Sequence, residues 1–544
     1  MRLVIRDLYE VKDKIIKSEA TNNNDLYKSH LYWSQKPFNI CDILIESFSE
    51  DGDVILDPFM GSGVTIIQAL NKKIKRRAVG VEINDVPVFI VKTLLSSYNY
   101  KQISEVILRF VDKIKRLNSY YETKCQACGE TGIIQKVIFD RADWKSQPEL
   151  KTICYKCTCN KKVLTKQADE EDIKKINIKY DVKNIEDIVL INNSRLAVYE
   201  GQKISSIFTK RNFAVLDNII GHMNDENKEI LPCLKYIILS ILHLSKITDT
   251  HSNSQWPLWT PKKDCVEKNI PELFEKRANL FLKSIRFAET NLYRGRHEVD
   301  TFKQLGNGDY LIFQKGVQNL EDIDIPDNSV DLIITDPPYL GQVLYSEYMQ
   351  LYTPFLKLAF NLEDEIVVST SPQRDKKEEN YYSLMEQAFI KISAKLKNGK
   401  YMCMYFHDSN LDVWYNLISI LERVGLRYLS QVHVKKKNTL KNIISPKKSL
   451  NGDAVLFFVK EPIKKNSTIE IESTEEMELN IVRHAKFIIK QKGPLSTPEL
   501  YDDGMMEFII HNGWLHKLSL EYKSLVDIFE KHLIWDQEIG KWKC

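Results

Sequence analysis

Three short stretches of this 544-residue chain carry residue types whose spacing can do chemistry. The first is 336-DPPY-339, set directly after the apolar run 331-DLIIT-335. Proline donates nothing to a sheet ladder and restricts the residue before it, so Pro337 and Pro338 end a strand. An acid, Asp336, and an aromatic ring, Tyr339, flank the prolines at its mouth. The second stretch is 57-DPFMGSGVT-65, where a strand-like run passes into a helix-like one. Gly61 and Gly63 let the backbone turn sharply and approach a ligand, and the helix N-terminus adds a positive dipole end. Glu82 closes the next strand-like run, where an acid can accept hydrogen bonds from ribose hydroxyls. No Gly-Lys-Ser/Thr follows the turn, so an adenosine ligand without a triphosphate fits it better than a nucleoside triphosphate.

The third stretch pairs 125-CQAC-128 with 154-CYKCTC-159. Two Cys-x-x-Cys knuckles spaced in this way supply four thiolates, here Cys125, Cys128, Cys154 and Cys157, to a tetrahedral zinc ion. Cys159 is a fifth thiol, either free at the surface or able to exchange roles with Cys157. A site closed by four cysteines is structural rather than catalytic.

The elements that must position these residues follow a βαβα rhythm. Strand-like 53-DVILD-57 and 78-AVGVEI-83 alternate with helix-like 64-VTIIQALNKK-73 and 86-VPVFIVKTLLSSY-98, which implies a parallel sheet covered by helices. The rhythm breaks near residue 100 and resumes with 310-YLIFQK-315, 330-VDLIIT-335, 400-KYMCMYF-406, 427-RYLSQVHVK-435 and 453-DAVLFFVK-460. The expected fold is α/β, with residues 1–100 and 301–465 as two halves of one domain. Residues 101–300 form an insertion with the cysteine cluster and helical segments, and residues 466–544 form a small helical C-terminal module.

Bulk composition bounds the function classes. The hydrophobic fraction of 43% and charged fraction of 28% are those of a soluble globular protein. A net charge of +3 neither requires nor excludes a polyanionic partner. The N-terminus lacks a signal-like apolar segment, and no 18-residue apolar run occurs, so a cytoplasmic location without a membrane is expected.

The stretch 57-DPFMGSG-63 resembles the S-adenosylmethionine loop of amino-methyltransferases, and 336-DPPY-339 resembles their catalytic motif. The order of loop, insertion with paired cysteines, and catalytic motif is similar to adenine-specific DNA methylases that contain a zinc ribbon. The resemblance implies a Rossmann-like methyltransferase fold split by a zinc-ribbon and helical insertion. It implies that S-adenosylmethionine is bound by Asp57, Pro58, Phe59, Gly61, Ser62, Gly63 and Glu82, with Lys36 and Pro37 of 35-QKPFNI-40 closing over the methionine moiety. Asp336 and the carbonyl between Pro337 and Pro338 would accept the hydrogens of an exocyclic amine, while Tyr339 would stack on a base flipped from duplex DNA. Adenine N6 is the expected target, with the N4 amine of cytosine or an RNA base as alternatives. A protein-glutamine methyltransferase would more usually carry asparagine at position 336. A DNA-binding subunit that kept the fold without its activity is the non-enzyme alternative.

Further nucleic-acid contacts are expected from the lysines of 433-HVKKKNTLKNIISPKK-448, from Trp256 and Trp259 in 251-HSNSQWPLWTPKK-263, and from the polar stretch 369-STSPQRDKKEENYY-382. For each, a solvated or self-anchored loop is the plainer reading. His407 could serve as a base, although direct methyl transfer does not demand one. In the C-terminal module, 487-FIIKQKGPLSTPELYDD-503 reads as helix, turn, helix. A restriction or phage-defence subunit could accompany such an enzyme.

Overall fold

The computed structural model describes residues 2–33, 35–141, 149–250, 257–261, 263–341, 343–435, 447, 450, 452–462 and 473–544. The expected apolar runs form Val54–Asp57 (β1), Arg77–Glu82 (β2), Tyr310–Gln314 (β3), Val330–Thr335 (β4), Leu396–Phe406 (β5), Leu426–Val434 (β6) and Asp453–Lys460 (β7). Among the described residues they make one seven-stranded sheet in the order β6-β7-β5-β4-β1-β2-β3. β1 lies parallel to β2 and β4, β4 to β5, and β2 to β3, whereas β7 runs antiparallel to β5 and β6. This is the expected Rossmann-like α/β architecture.

Both faces of the sheet are buried. Ile55, Ala78, Leu332 and Cys403 belong to one apolar cluster, and their neighbours Val54, Val79, Ile333 and Met402 to the other. Double burial is the reason these strands read as continuous apolar runs rather than alternating ones. Helices Phe38–Phe48, Val64–Ala69 and Asp85–Leu95 cover the first face, together with the insertion. Helices Glu378–Lys395 and Leu411–Arg423 cover the second, together with the C-terminal module.

The insertion combines an antiparallel sheet with helices. Its sheet is built on Thr131–Asp140, Glu149–Cys157, Asn160–Lys166 and Cys265–Lys268. Its longest helix, Ile270–Asn291, starts at a cap where Asn269 accepts from the amide of Glu272, with Pro271 in the first turn. A buried bidentate pair, Arg211 to Glu267 at 2.9 and 2.7 Å, joins helix Lys210–Asn224 to the insertion sheet. The insertion shares the apolar cluster of the first sheet face rather than closing a separate core.

The C-terminal module is helical, as expected, and adds a two-stranded hairpin of Ile534–Asp536 and Lys541–Lys543. Helix Thr474–Lys492 ends at Gly493 and the short helix Thr497–Leu500 follows, matching the helix, turn, helix reading. Lys435 and Lys447, from the lysine-rich stretch, pair with Glu499 and Glu530 of this module at 2.6 and 2.9 Å. Lys436, Lys437, Lys441, Lys448 and Trp256 lie outside the described residues.

Candidate active site

The glycine turn and the catalytic motif leave the carboxyl ends of β1 and β4, which are adjacent strands. From this pair the chain order diverges in both directions across the sheet, a point where open α/β sheets bind ligands. Gly61 and Gly63 have positive φ, at +49° and +73°, and Gly63 sits at the start of helix Val64–Ala69. A Cβ on Gly63 would lie 2.4 Å from a Val91 methyl, so helix Asp85–Leu95 packs against the turn as closely as glycine allows.

The Glu82 carboxylate accepts from the amide of Gly61 at 3.0 Å and from the amides of Ile83 and Asn84 at 2.9 and 3.0 Å. Burial pushes its pKa up to about 7, against the pull of those amides. Asp57 accepts from the amide of Phe59 at 3.2 Å, and burial likewise raises it to about 7.

Asp336 sits at the centre of a charge cluster. Its Oδ1 accepts from the Tyr339 hydroxyl at 2.7 Å and meets Lys36 Nζ at 3.1 Å. Lys36 also meets Asp453 Oδ2 at 2.9 Å and the Tyr339 hydroxyl at 3.2 Å. Burial alone would depress the Lys36 ammonium, but the two carboxylates hold it above its ordinary value. Burial pushes the Asp336 carboxyl up, and Lys36 opposes that shift. Tyr339 packs edge-on against Phe406, which in turn meets Trp414. The Tyr381 hydroxyl donates to the carbonyl of Pro338 at 2.8 Å, bracing the backbone after the two prolines.

One cleft joins the two motifs. Asp57, Pro58, Phe59, Gly61, Ser62, Glu82, Asp336 and Lys36 line it, whereas Pro37 caps helix Phe38–Phe48 outside the lining and Gly63 shapes the backbone behind it. His407 is half-buried past the end of β5 and is not among the lining residues. Val81, Ile83, Val317 and Ile366 supply apolar lining. Thr335 Oγ1 and the Tyr405 hydroxyl are buried in this lining without a hydrogen-bond partner. Buried polar atoms of this kind are poised for a polar ligand. Together with the Glu82 carboxylate they fit a nucleoside cofactor such as S-adenosylmethionine.

The comparisons agree with this geometry. A family model described as DNA methylase, for N6/N4 methyltransferases, matches residues 5–93 and 330–499. The matched stretches carry Lys36, the glycine turn, Glu82, Asp336 and Asp453, and they leave out the insertion. Over these two stretches the chain is similar to the N6/N4 DNA methylase family.

Among curated relatives, Type II methyltransferase M.MjaII of Methanocaldococcus jannaschii is 22% identical over 350 residues. That match covers 61% of this chain and 62% of the relative. Type II methyltransferase M.HindIII of Haemophilus influenzae is 31% identical over 77 residues, which are 13% of this chain and 24% of that protein. The chain thus spans less than two thirds of either relative's length. Similar solved structures include a candidate DNA modification methylase from Thermus thermophilus, at 11% identity, covering 32% of this chain and 72% of that chain with a TM-score of 0.16. A candidate class I S-adenosylmethionine-dependent methyltransferase from Listeria monocytogenes is 15% identical over 37% of this chain and 45% of its own, with a TM-score of 0.17. The strand order given above carries the fold; likenesses this distant do not add to it.

In this chain the segment after 336-DPPY-339 is tied to the insertion by buried charge. Glu347 meets Arg374 at 3.1 Å and accepts from Asn193 and Ser369 at 2.7 Å each. Arg374 also meets Glu365 at 2.7 Å, and Glu365 accepts from the amide of Ser346 at 2.9 Å while lining the cleft. The polar stretch 369–382 therefore contributes an internal clamp through Arg374. Arg195 of the insertion donates to the carbonyl of Gly341, two residues past Tyr339. Trp259 is held by its backbone, whose carbonyl accepts from the buried Lys246 ammonium.

The cysteine cluster differs from the expected set in one member. The sulfurs of Cys125, Cys128, Cys157 and Cys159 lie within 4.8 Å of one another, and Cys154 is not among them. The pairing of Glu149–Cys157 with Asn160–Lys166 shifts register between Tyr155 and Cys157. Side chains alternate along a strand, so Cys154 and Cys157, three apart in Glu149–Cys157, face opposite ways, and it is Cys157, with Cys159 from the following turn, that meets the first knuckle. Cys125 to Cys159 is 3.7 Å and Cys128 to Cys157 is 3.5 Å. Four thiolates around zinc at about 2.3 Å stand about 3.8 Å apart, so the cage has the right size. The Tyr155 hydroxyl donates to Cys125 at 3.6 Å and, with nearby backbone amides, favours its thiolate, while the hydrogen bonds among the sulfurs push the Cys159 thiol up.

Sequence reasoning missed Asp453, Tyr405, Thr335 and Tyr381. Tyr405 was in reach, since it is the penultimate residue of the strand-like run 400-KYMCMYF-406, and β5 lies beside β4 in parallel. Asp453 opens β7, where a single acid before an apolar run looks like an ordinary strand boundary.

Proposed function

We propose that this chain is an S-adenosylmethionine-dependent DNA amino-methyltransferase acting on N6 of adenine flipped from a duplex. The observation that carries the proposal is the placement of Asp336 and the Gly61–Glu82 turn on adjacent strand ends facing one cleft. The match to a DNA methylase family model and the Type II methyltransferase relatives support DNA as the substrate. When bound, S-adenosylmethionine supplies an electrophilic methyl group on sulfur.

The chain's own residues must make a weak nucleophile adequate. An exocyclic amine delocalises its lone pair into the ring. Asp336 and the carbonyl of Pro337 accept its two hydrogens, favour a more tetrahedral nitrogen and stabilise the positive charge that develops there. The nitrogen pair forms the new bond to carbon, the pair of the broken carbon–sulfur bond stays on sulfur, and the nitrogen then sheds one proton. Asp336, raised by burial, is the adjacent acceptor for that proton. Tyr339, whose hydroxyl donates to Asp336, offers a ring beside that acid for the flipped base. Alignment supplies the rest of the rate, with no covalent enzyme intermediate. The thiolate cage fits a structural zinc ion in the insertion, which we assign to target recognition.

Among the described residues no helix is long and apolar enough to cross a membrane. The test is transfer of a tritiated methyl group to unmethylated duplex DNA, single strands and RNA, followed by nucleoside analysis. N6-methyladenine in DNA is the expected product. Label only in RNA overturns the substrate, N4-methylcytosine overturns the base, and full activity in Asp336→Ala overturns the mechanism.

A further inference from the structure

The Lys36 ammonium occupies the groups that a target amine needs. It lies 3.1 Å from Asp336 Oδ1, and it stands 5.3 Å from the centre of the Tyr339 ring and 5.4 Å from that of Tyr405. A bare ammonium there would leave Asp336 half of a neutral pair. A neutral pair is a poor acceptor for an amine that is gaining positive charge. Asp453 changes that balance. Its Oδ2 is 2.9 Å from the same ammonium, and its side chain, like that of Lys36, is nearly fully buried. The three side chains Lys36, Asp336 and Asp453 sum to one negative charge rather than none.

The structure assigns Asp453 as a positioning residue for methyl transfer: it holds and neutralises the Lys36 ammonium so that Asp336 keeps a full negative charge for the target amine. The assignment rests on the amino-methyltransferase reading given above. Asp453 is the first residue of β7, 417 positions from Lys36, and reaches the Lys36 ammonium because β7 runs antiparallel beside β5. The groups that face Asp336 are Lys36, Asp453 and Tyr339, with Tyr405, Tyr32 and Asp57 acting on it electrostatically from around the cleft. Lys36 is the cation in that set, so its charge has to be offset locally.

Charge arithmetic distinguishes this role from simple packing. Asp453→Asn brings the cluster to zero, and single-turnover methyl transfer falls about tenfold or more while S-adenosylmethionine affinity stays within about threefold. Adding Lys36→Met to Asp453→Asn restores one negative charge and recovers part of the lost rate. A double variant no faster than Asp453→Asn overturns the assignment, and so does an Asp453→Asn protein with the wild-type rate. Lys36→Met alone provides a second measurement if Asp453→Asn does not fold. Its removal leaves two carboxylates side by side, so the acid limb of the pH–rate profile moves to higher pH, and an unmoved limb overturns the assignment. A wild-type protein that methylates no nucleic acid fails the parent reading instead, which keeps the two failures distinct.

Discussion

The amide of Gly61 donates to the Glu82 carboxylate at 3.0 Å, tying the tip of the glycine turn to the end of β2 before any ligand enters. The same carboxylate holds the amides of Ile83 and Asn84, so the loop that should receive a ribose is already shaped around one acid. Glu82→Gln keeps the size but replaces one acceptor oxygen with a donor facing backbone amides. We expect S-adenosylmethionine affinity to fall about ten- to hundredfold in isothermal titration, with duplex DNA binding little changed.

The pH dependence of that affinity follows from burial. Glu82 titrates near 7, and only its ionised form accepts from ribose hydroxyls without first losing a proton. Affinity should therefore rise as pH increases through about 7, with a flatter profile in Glu82→Gln. Stability of the ligand-free protein runs the other way. A carboxyl whose folded pKa is raised binds more protons folded than unfolded, so its contribution is present at low pH. That contribution is lost as pH climbs from the ordinary carboxyl range through about 7. Thermal unfolding without ligand should show a lower Tm on the alkaline side of that window, and added S-adenosylmethionine should narrow the difference.

Gly63 tests the turn itself. Alanine there must hold a φ of +73° and place its methyl 2.4 Å from Val91. The left-handed backbone costs about 1–2 kcal/mol and the overpacking about 1–3 kcal/mol, so Gly63→Ala should lose about 2–5 kcal/mol in denaturant unfolding. Gly61→Ala carries the same left-handed strain of about 1–2 kcal/mol but meets only the ring edge of Tyr32, at 3.0 Å, so it should lose less stability than Gly63→Ala while weakening cofactor binding.

How much of this was readable beforehand differs residue by residue. Strands β1 and β4 declare themselves because burial on both faces writes an unbroken apolar run, and each ends in a motif with its own chemistry. Lys36 was legible as a site residue, but its partner was not. Asp453 meets it only because β7 inserts antiparallel between β5 and β6, a pairing that no local pattern encodes. Cys154 looked like half of a knuckle because Cys-x-x-Cys spacing is a statement about turns. Here Cys154 sits in a strand, where period-2 alternation points it to the face opposite Cys157 and so away from the cage. Asn193 and Arg374 come from irregular segments, whose partners are set by the completed fold.

The cage makes a prediction with an internal control. Cys159→Ser should reduce bound zinc well below one ion per chain by elemental analysis, whereas Cys154→Ser should keep it. Chelation of the wild type should lower the Tm, since the metal stabilises the folded ribbon. If Cys154→Ser loses the ion and Cys159→Ser does not, the ligand set reverts to the one expected from spacing.

The clamp on Arg374 links the insertion to the catalytic segment and sets the last prediction. Glu347 and Glu365 are both buried, and one guanidinium serves both, at 3.1 and 2.7 Å. Two buried carboxylates with one cation leave one negative charge, which Asn193, Ser369 and the Ser346 amide help to carry. Removing the cation leaves two adjacent carboxylates in low dielectric, a loss of about 3–5 kcal/mol. Arg374→Met should show that loss in urea unfolding. Asn193→Ala removes only a neutral donor and should cost about 1–2 kcal/mol while leaving the charges paired. Because Asn193 belongs to the insertion and Glu347 to the segment after 336-DPPY-339, Asn193→Ala should also raise the KM for DNA while sparing S-adenosylmethionine binding. An unchanged KM would mean that the contact only fastens the insertion in place.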